Sequence, residues 1–168
     1  MSEWWREAWI VVQHEFSDLP AVGDFTRVCV RLLMATVLGG IIGYERESSG
    51  SAAGFRTHML VALGAALFVL VPLQAGMESD DISRVVQGVV SGIGFLGAGA
   101  IIKHGQGLEV HGLTTAASVW LTCAIGLAAG MGHEATAIVS TFFALLILLL
   151  VRVIKTPDQG QAGKLPKT

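Results

Sequence analysis

An all-α membrane protein, five transmembrane helices preceded by an N-terminal interfacial amphipathic helix, is the fold class predicted by three features of the sequence. Hydrophobic residues fill 52% of the 168 positions and charged residues only 14%, against about 25% charged in soluble domains. Five long apolar runs follow one another with short polar interruptions between them. Glycine is abundant, at 21 residues without a Gly-X-Y period, which excludes collagen and fits close-packed helices in lipid.

Residues 1–24 form the first segment. Trp5, Trp9, Val12 and Phe16 recur at helical spacing opposite Glu3, Glu7 and Glu15, the pattern of a helix lying at the headgroup level with its indole rings in the interface. Glu3 and Glu7 flank a single Arg6, whereas a signal peptide opens with positive charge, so this segment is expected to be retained. The five apolar runs, Val28 to Tyr44, His58 to Leu73, Val85 to Ile102, Leu113 to Ala129 and Ala135 to Val151, lie within a transmembrane domain over 25–155. Each has roughly 16 to 18 residues, about 26 Å of helix, the short end of what crosses a ~30 Å hydrocarbon core, so flanking residues are expected to extend each span. A soluble bundle would need a polar face on every helix, and these runs have almost none. The tail, 156–168, is Pro, Gly, Gln and Lys without periodicity and is expected to be disordered.

Charge sets the orientation. With the C-terminus inside, the cytoplasmic side collects Arg46, Arg56, Lys103, Arg152, Lys155, Lys164 and Lys167, and the outside holds Arg6, Arg27, Arg31 and Arg84. The positive-inside rule therefore predicts N-out and C-in. The net charge of −2 offers no basic face for nucleic acid. Cys29 and Cys123 both sit in apolar runs, as small hydrophobes rather than a disulfide framework.

Small residues recur every four positions at Ala35, Gly39 and Gly43, at Gly88 and Gly92, and at Thr122, Gly126 and Gly130. Such stripes let backbones approach closely, within one subunit or between subunits. The third run holds Gly92, Gly94, Gly97 and Gly99. So much glycine weakens a helix by about 1 kcal/mol per residue relative to alanine, so tight packing, a break in the helix or a backbone approach to a ligand is expected there. Arg31 stands about one turn inside the outer end of the first span, where it can snorkel to headgroups.

The most informative polar residues gather at the cytoplasmic side. Glu45, Arg46 and Glu47 leave the first span and Arg56, Thr57 and His58 enter the second. Opposite charges placed there form a clamp between helices, a cation or proton site on Glu45, or a docking point for another protein. Thr114 and Thr115 open the fourth span beside this cluster, their hydroxyls suited to helix initiation or cross-helix bonds. His104, Glu109 and His111 in the third loop could hold a transition metal, though no paired second set accompanies them. Ser91 has no base nearby in the sequence, and no catalytic chemistry is expected.

These stretches resemble the MgtC/SapB family of bacterial inner-membrane proteins. The resemblance rests on Arg31 through Gly43-Tyr44-Glu45-Arg46-Glu47, Ala53-Gly54-Phe55-Arg56-Thr57-His58 with Leu63-Gly64-Ala65-Ala66, Ser91 through Gly99, and Gly112-Leu113-Thr114-Thr115-Ala116-Ala117 leading to Trp120 and Ala124-Ile125-Gly126. The four motifs occur in order over about three-quarters of the chain. The resemblance implies a five-helix inner-membrane domain with a role in magnesium homeostasis, acid-stress adaptation or virulence. The family's virulence branch adds a cytoplasmic domain resembling ACT modules after the last span, and this sequence is expected to be the short form without it. That branch also carries Asn at the position of Thr114.

Two functions follow as expectations. The first is a non-enzymatic, homo-oligomeric protein, a dimer in the simplest case, that modulates an ATP synthase, a P-type ATPase or a transporter. In it Glu45, Arg46, Arg56, Thr57, His58, Thr114 and Thr115 form the functional polar cluster. Gly39, Gly43, Gly88, Gly92, Gly94, Gly97, Gly99 and Gly126 set helix and subunit contacts. The second is a small Mg²⁺ or proton carrier with Glu45 as its titrating group. No cofactor is expected beyond Mg²⁺ in that second case.

Overall fold

The chain was analysed as a computed structural model that describes residues 2–15, 21–103 and 110–154. The tail at 156–168 lies outside the described residues. Among the described residues six helices run in order: α1 (Ser2–Glu15), α2 (Val22–Ser48), α3 (Phe55–Gln74), α4 (Ser79–Ala100), α5 (Leu113–Gly130) and α6 (Glu134–Ile154). The segment containing Trp5, Trp9 and Val12 is helical, with Trp5 and Trp9 exposed.

The helices from α2 to α6 reach beyond the apolar runs that announced them, except at the end of α4 and at the start of α5, which begins on Leu113 itself. α2 has 27 residues because Thr26 and Arg27 still fit the helix, the first bonding back to Val22 O and the second pairing with Asp24. α4 stops at Ala100, two residues before the predicted end of the third run. Ile101 is extended, and Ile102 and Lys103 form β1, paired antiparallel with β2 (Val110–His111) in place of the expected plain loop. Two weak helix formers, Gly97 and Gly99, precede the stop, and the chain leaves the helix just after them. The ladder closes on Gly112, whose φ of +90° suits glycine and whose hydrogen faces Ala100 O; a Cβ there would strike that oxygen. α4 is otherwise one continuous helix, so the break considered for Gly94 to Gly99 does not occur.

Among the described residues four helices, α2 to α5, are long and apolar enough to cross a membrane, and α6 contributes an apolar stretch of 17 residues over Glu134–Leu150. Together they make a multi-pass membrane protein. Large apolar side chains such as Leu33, Phe68, Phe95, Phe142 and Phe143 point outward, which is the favourable direction when the surroundings are lipid.

The interior is built from small residues. Ala35, Leu38 and Ile42 of α2 meet Ala62 and Ala66 of α3, Ile125 and Ala129 of α5, and Ala137 and Ala144 of α6. A second cluster joins Ala65 and Val69 of α3, Ile93 of α4, and Val119, Cys123 and Leu127 of α5. α2, α3 and α5 thus form the centre, with α4 and α6 at its flanks. The α3–α5 line is the tightest: a Cβ on Gly126 would collide with Ala62 O, and one on Gly130 would come within 2.7 Å of Ala66 Cα. Gly39 allows the same approach between α2 and α3, 2.7 Å from His58 O for an added Cβ.

Candidate functional site

The end of the bundle where α2 finishes and α3 and α5 begin carries the polar cluster. Glu45 and Arg46 occupy the last buried turn of α2, with side chains 7% and 10% exposed. Arg46 Nε donates to Glu45 Oε2 at 2.5 Å, and Ser49 Oγ donates to Glu45 Oε1 at 2.8 Å. Both carboxylate oxygens therefore accept a bond from the chain itself. A buried charge is tolerated only when paired and hydrogen-bonded in this way.

The loop from α2 to α3 is fastened by the next carboxylate. Glu47 Oε2 accepts the backbone N–H of Phe55 at 2.8 Å, satisfying one of the donors that the first turn of any helix leaves open. Gly54 lies so close to this carboxyl that a Cβ would meet Glu47 Oε2 at 2.5 Å. One turn on, His58 is fully buried. Its Nδ1–H donates to Gly54 O at 2.9 Å, and Nε2 lies 3.2 Å from Ser118 Oγ on α5. Ser118 Oγ donates to Thr115 O at 2.9 Å. That hydroxyl has one proton for two acceptors when the ring is neutral, so Nε2 and Thr115 O compete for it. Ser51 Oγ and Thr115 Oγ1 are 2.9 Å apart and close the network between the loop and α5.

The sequence-predicted residues divide by helical phase. Glu45, Arg46, His58 and Thr115 converge in the buried network, whereas Arg56, Thr57 and Thr114 are exposed on the same end of the molecule. Gly39, Gly43 and Gly126 lie in close helix contacts, Gly43 against Phe55 Cα and Gly54 O. Gly97 sits 3.7 Å from Ala116 Cβ for an added methyl, but Gly88, Gly92, Gly94 and Gly99 have nothing within 4 Å. Among the described residues, the tight packing expected of the third span is thus confined to Gly97.

Ser49, Ser51 and Ser118 belong to the network without having been singled out. Ser118 was findable, since Thr115, Ser118 and Thr122 repeat at helical spacing on one face of α5. Thr122 is fully buried, and its Oγ1 has no hydrogen-bond partner among the described residues. His104 and Glu109 of the candidate metal loop lie outside the described residues, and His111 is exposed. Among the described residues no three His, Cys, Asp or Glu side chains converge.

At the opposite end Arg31 reaches from α2 to the turn between α5 and α6. Its Nη1 donates to Gly130 O at 3.2 Å and its Nε lies 4.0 Å from Glu134 Oε1. The carbonyl belongs to the last turn of α5, where the helix dipole favours a cation. Gly132, at φ +84°, makes the room: a Cβ would strike the guanidinium.

A sequence profile of the MgtC family matches residues 32–156. Protein SrpB of Synechococcus elongatus is 44% identical over 137 residues, covering 75% of each chain. Protein MgtC of Brucella abortus is 45% identical over 128 residues, covering 76% of this chain and 52% of its own length. A putative magnesium transporter of Escherichia coli, YhiD, is 40% identical over 126 residues, covering 71% of this chain and 58% of its own. The chain thus spans little more than half the length of these last two relatives. No solved structure matches it. With a family profile covering most of the chain and relatives this similar in sequence, the protein belongs to the MgtC family.

Proposed function

We propose that this protein is a non-enzymatic component of the bacterial inner membrane that modulates a membrane ATPase or transporter during adaptation to low Mg²⁺ or acid. The observation that carries the reading is the state of Glu45. A carrier of Mg²⁺ needs carboxylate oxygen to replace water that the ion sheds reluctantly, and both oxygens of Glu45 already accept from Arg46 and Ser49. The Glu45–Arg46 pair ties down the end of α2, and beside it Ser51 and His58 bond the following loop and α3 to Thr115 and Ser118 of α5. Around it Arg56, Thr57 and Thr114 are exposed and offer a polar surface to another membrane machine.

Self-association accompanies this role. Gln87 and Ser91 of α4 are exposed beside the uncovered Gly88 and Gly92. Polar groups and small residues on a lipid-facing helix favour contact with another helix, here a second copy in a dimer. α6 serves as the fifth span, with the N-terminus outside, the C-terminus in the cytoplasm and α1 in the interface.

Reconstitution into sealed liposomes with trapped Mg²⁺ and pH dyes tests the reading. The expected result is no saturable entry of either ion above empty liposomes, for the wild type and for Glu45→Gln alike. Saturable flux abolished by Glu45→Gln would make the protein a carrier. The modulating role itself is read from ATP-driven proton pumping in inverted membrane vesicles, which is expected to fall when the protein is present and to recover with Thr114→Ala and Arg56→Ala together.

A further inference from the structure

The Arg31 end of the bundle holds a cavity of about 600 Å³ between α2, α3 and the start of the α5–α6 turn. Its mouth carries Asp24, Arg27 and Gln74, Arg31 lies deeper, and Leu70 and Leu73 supply apolar wall. Arg27 and Arg31 are four residues apart and share one face of α2. Arg31 is 20% exposed, and its Nε is buried without a hydrogen-bond acceptor among the described residues, Glu134 being too distant to serve. A guanidinium presents five donors in a fixed fork, and the bond to Gly130 O engages one of them. Arg31 thus lines the cavity as a part-buried guanidinium that makes one hydrogen bond among the described residues.

We propose that this cavity binds the headgroup of a zwitterionic phospholipid bearing a primary ammonium, a phosphatidylethanolamine, with the phosphate on Arg31 and Arg27 and the ammonium on Asp24. The chemistry selects each part. Guanidinium groups match phosphate oxygen geometry. Two cations would suit any anion, but Asp24 pairs with Arg27 at 2.8 Å and Glu134 stands beside Arg31. Locally the charges balance, two against two, which favours a ligand carrying both signs over a purely anionic one. The ammonium carries N–H donors for Asp24 and for the Gln74 carboxamide oxygen, donors that a trimethylated choline lacks. Leu73, 37% exposed, gives the cavity an apolar wall beside the headgroup contacts, a surface that suits an acyl chain and not a soluble phosphate.

Asp24 and Arg27 are 42% and 60% exposed, so Asp24→Asn and Arg27→Gln leave the fold intact, which circular dichroism checks. The full chain, delipidated in detergent, is heated with dioleoyl phosphatidylethanolamine, dioleoyl phosphatidylcholine, dioleoyl phosphatidylglycerol or free phosphoethanolamine, and lipid retention is read by native mass spectrometry. Phosphatidylethanolamine is expected to raise the unfolding temperature most and to be retained severalfold better than the other two lipids. Arg27→Gln should weaken that retention severalfold, and Asp24→Asn should erase the preference over phosphatidylglycerol. Equal protection by phosphatidylglycerol or phosphatidylcholine in the wild type overturns the headgroup assignment, as does an unchanged preference in Asp24→Asn. Protection by free phosphoethanolamine equal to that by the lipid overturns the assignment of a lipid.

Discussion

Glu45 shows how burial can turn a candidate ion ligand into a structural tie. Its nearest cation is its own sequence neighbour, and at 7% and 10% exposure the two charges have left water together. Removing one partner from a buried pair costs about 3–5 kcal/mol because the other charge stays behind. Arg46→Ala is therefore expected to destabilise the protein by about that much, measured by equilibrium unfolding in mixed micelles, with Glu45→Gln/Arg46→Ala recovering part of the loss. Ser118→Ala removes one neutral bond from the His58 network and should cost about 1 kcal/mol in the same assay. Charges at the span ends were legible in the sequence, since Glu45, Arg46 and His58 stand out against apolar runs. The spacing of Thr115, Ser118 and Thr122 groups them on one face of α5, but that this face turns inward and leaves Thr114 outside depends on packing against α3.

Among the helices, the same residue type serves two purposes that spacing alone does not separate. Gly126 and Gly88 both belong to stripes of small residues, yet an added methyl on the first meets the α3 backbone and on the second meets nothing. Gly126→Ala is expected to cost about 1–3 kcal/mol through overpacking. Gly88→Ala should leave the unfolding of the single chain unchanged or raise it by up to ~1 kcal/mol from helix propensity, while lowering the dimer fraction seen by cross-linking if α4 meets a second copy. The α5–α6 turn offers a third comparison. Gly132→Ala forces an L side chain into the left-handed region, costing about 1–2 kcal/mol, and also drives the methyl into Arg31. Its unfolding midpoint should fall further than that of Gly50→Ala, which has a similar φ of +75° but open space around it. The stripes announced that helices pack closely; only the fold tells which partner each stripe faces, because that depends on pairings more than sixty residues apart, such as Ala62 with Gly126.

Across the whole molecule, the ends differ in kind. One end is a buried network of Glu45, Arg46, His58, Ser118 and Thr115, and the other is the open cavity below Arg31. Orientation is testable on a background with Cys29 and Cys123 replaced. A cysteine placed at Gly76 should react with a membrane-impermeant maleimide on intact cells, and one at Ser49 only after permeabilisation; the reverse pattern would invert the topology. The helical membrane class and the four spans from α2 to α5 were readable because lipid imposes one rule on every segment, that backbone polar groups be satisfied within a helix. The two-residue ladder at Ile102 and His111 was not, since it depends on where α4 stops. The α3–α5 seam also bears on how the chain is made. α4 leaves the ribosome before α5, yet it is α5 that fits against Ala62 and Ala66. A nascent chain ending at Ala100 lacks the helix that packs on that face of α3. The tightest seam of the bundle can therefore form only after synthesis has passed Gly130, so the centre is completed late although half of it is made early.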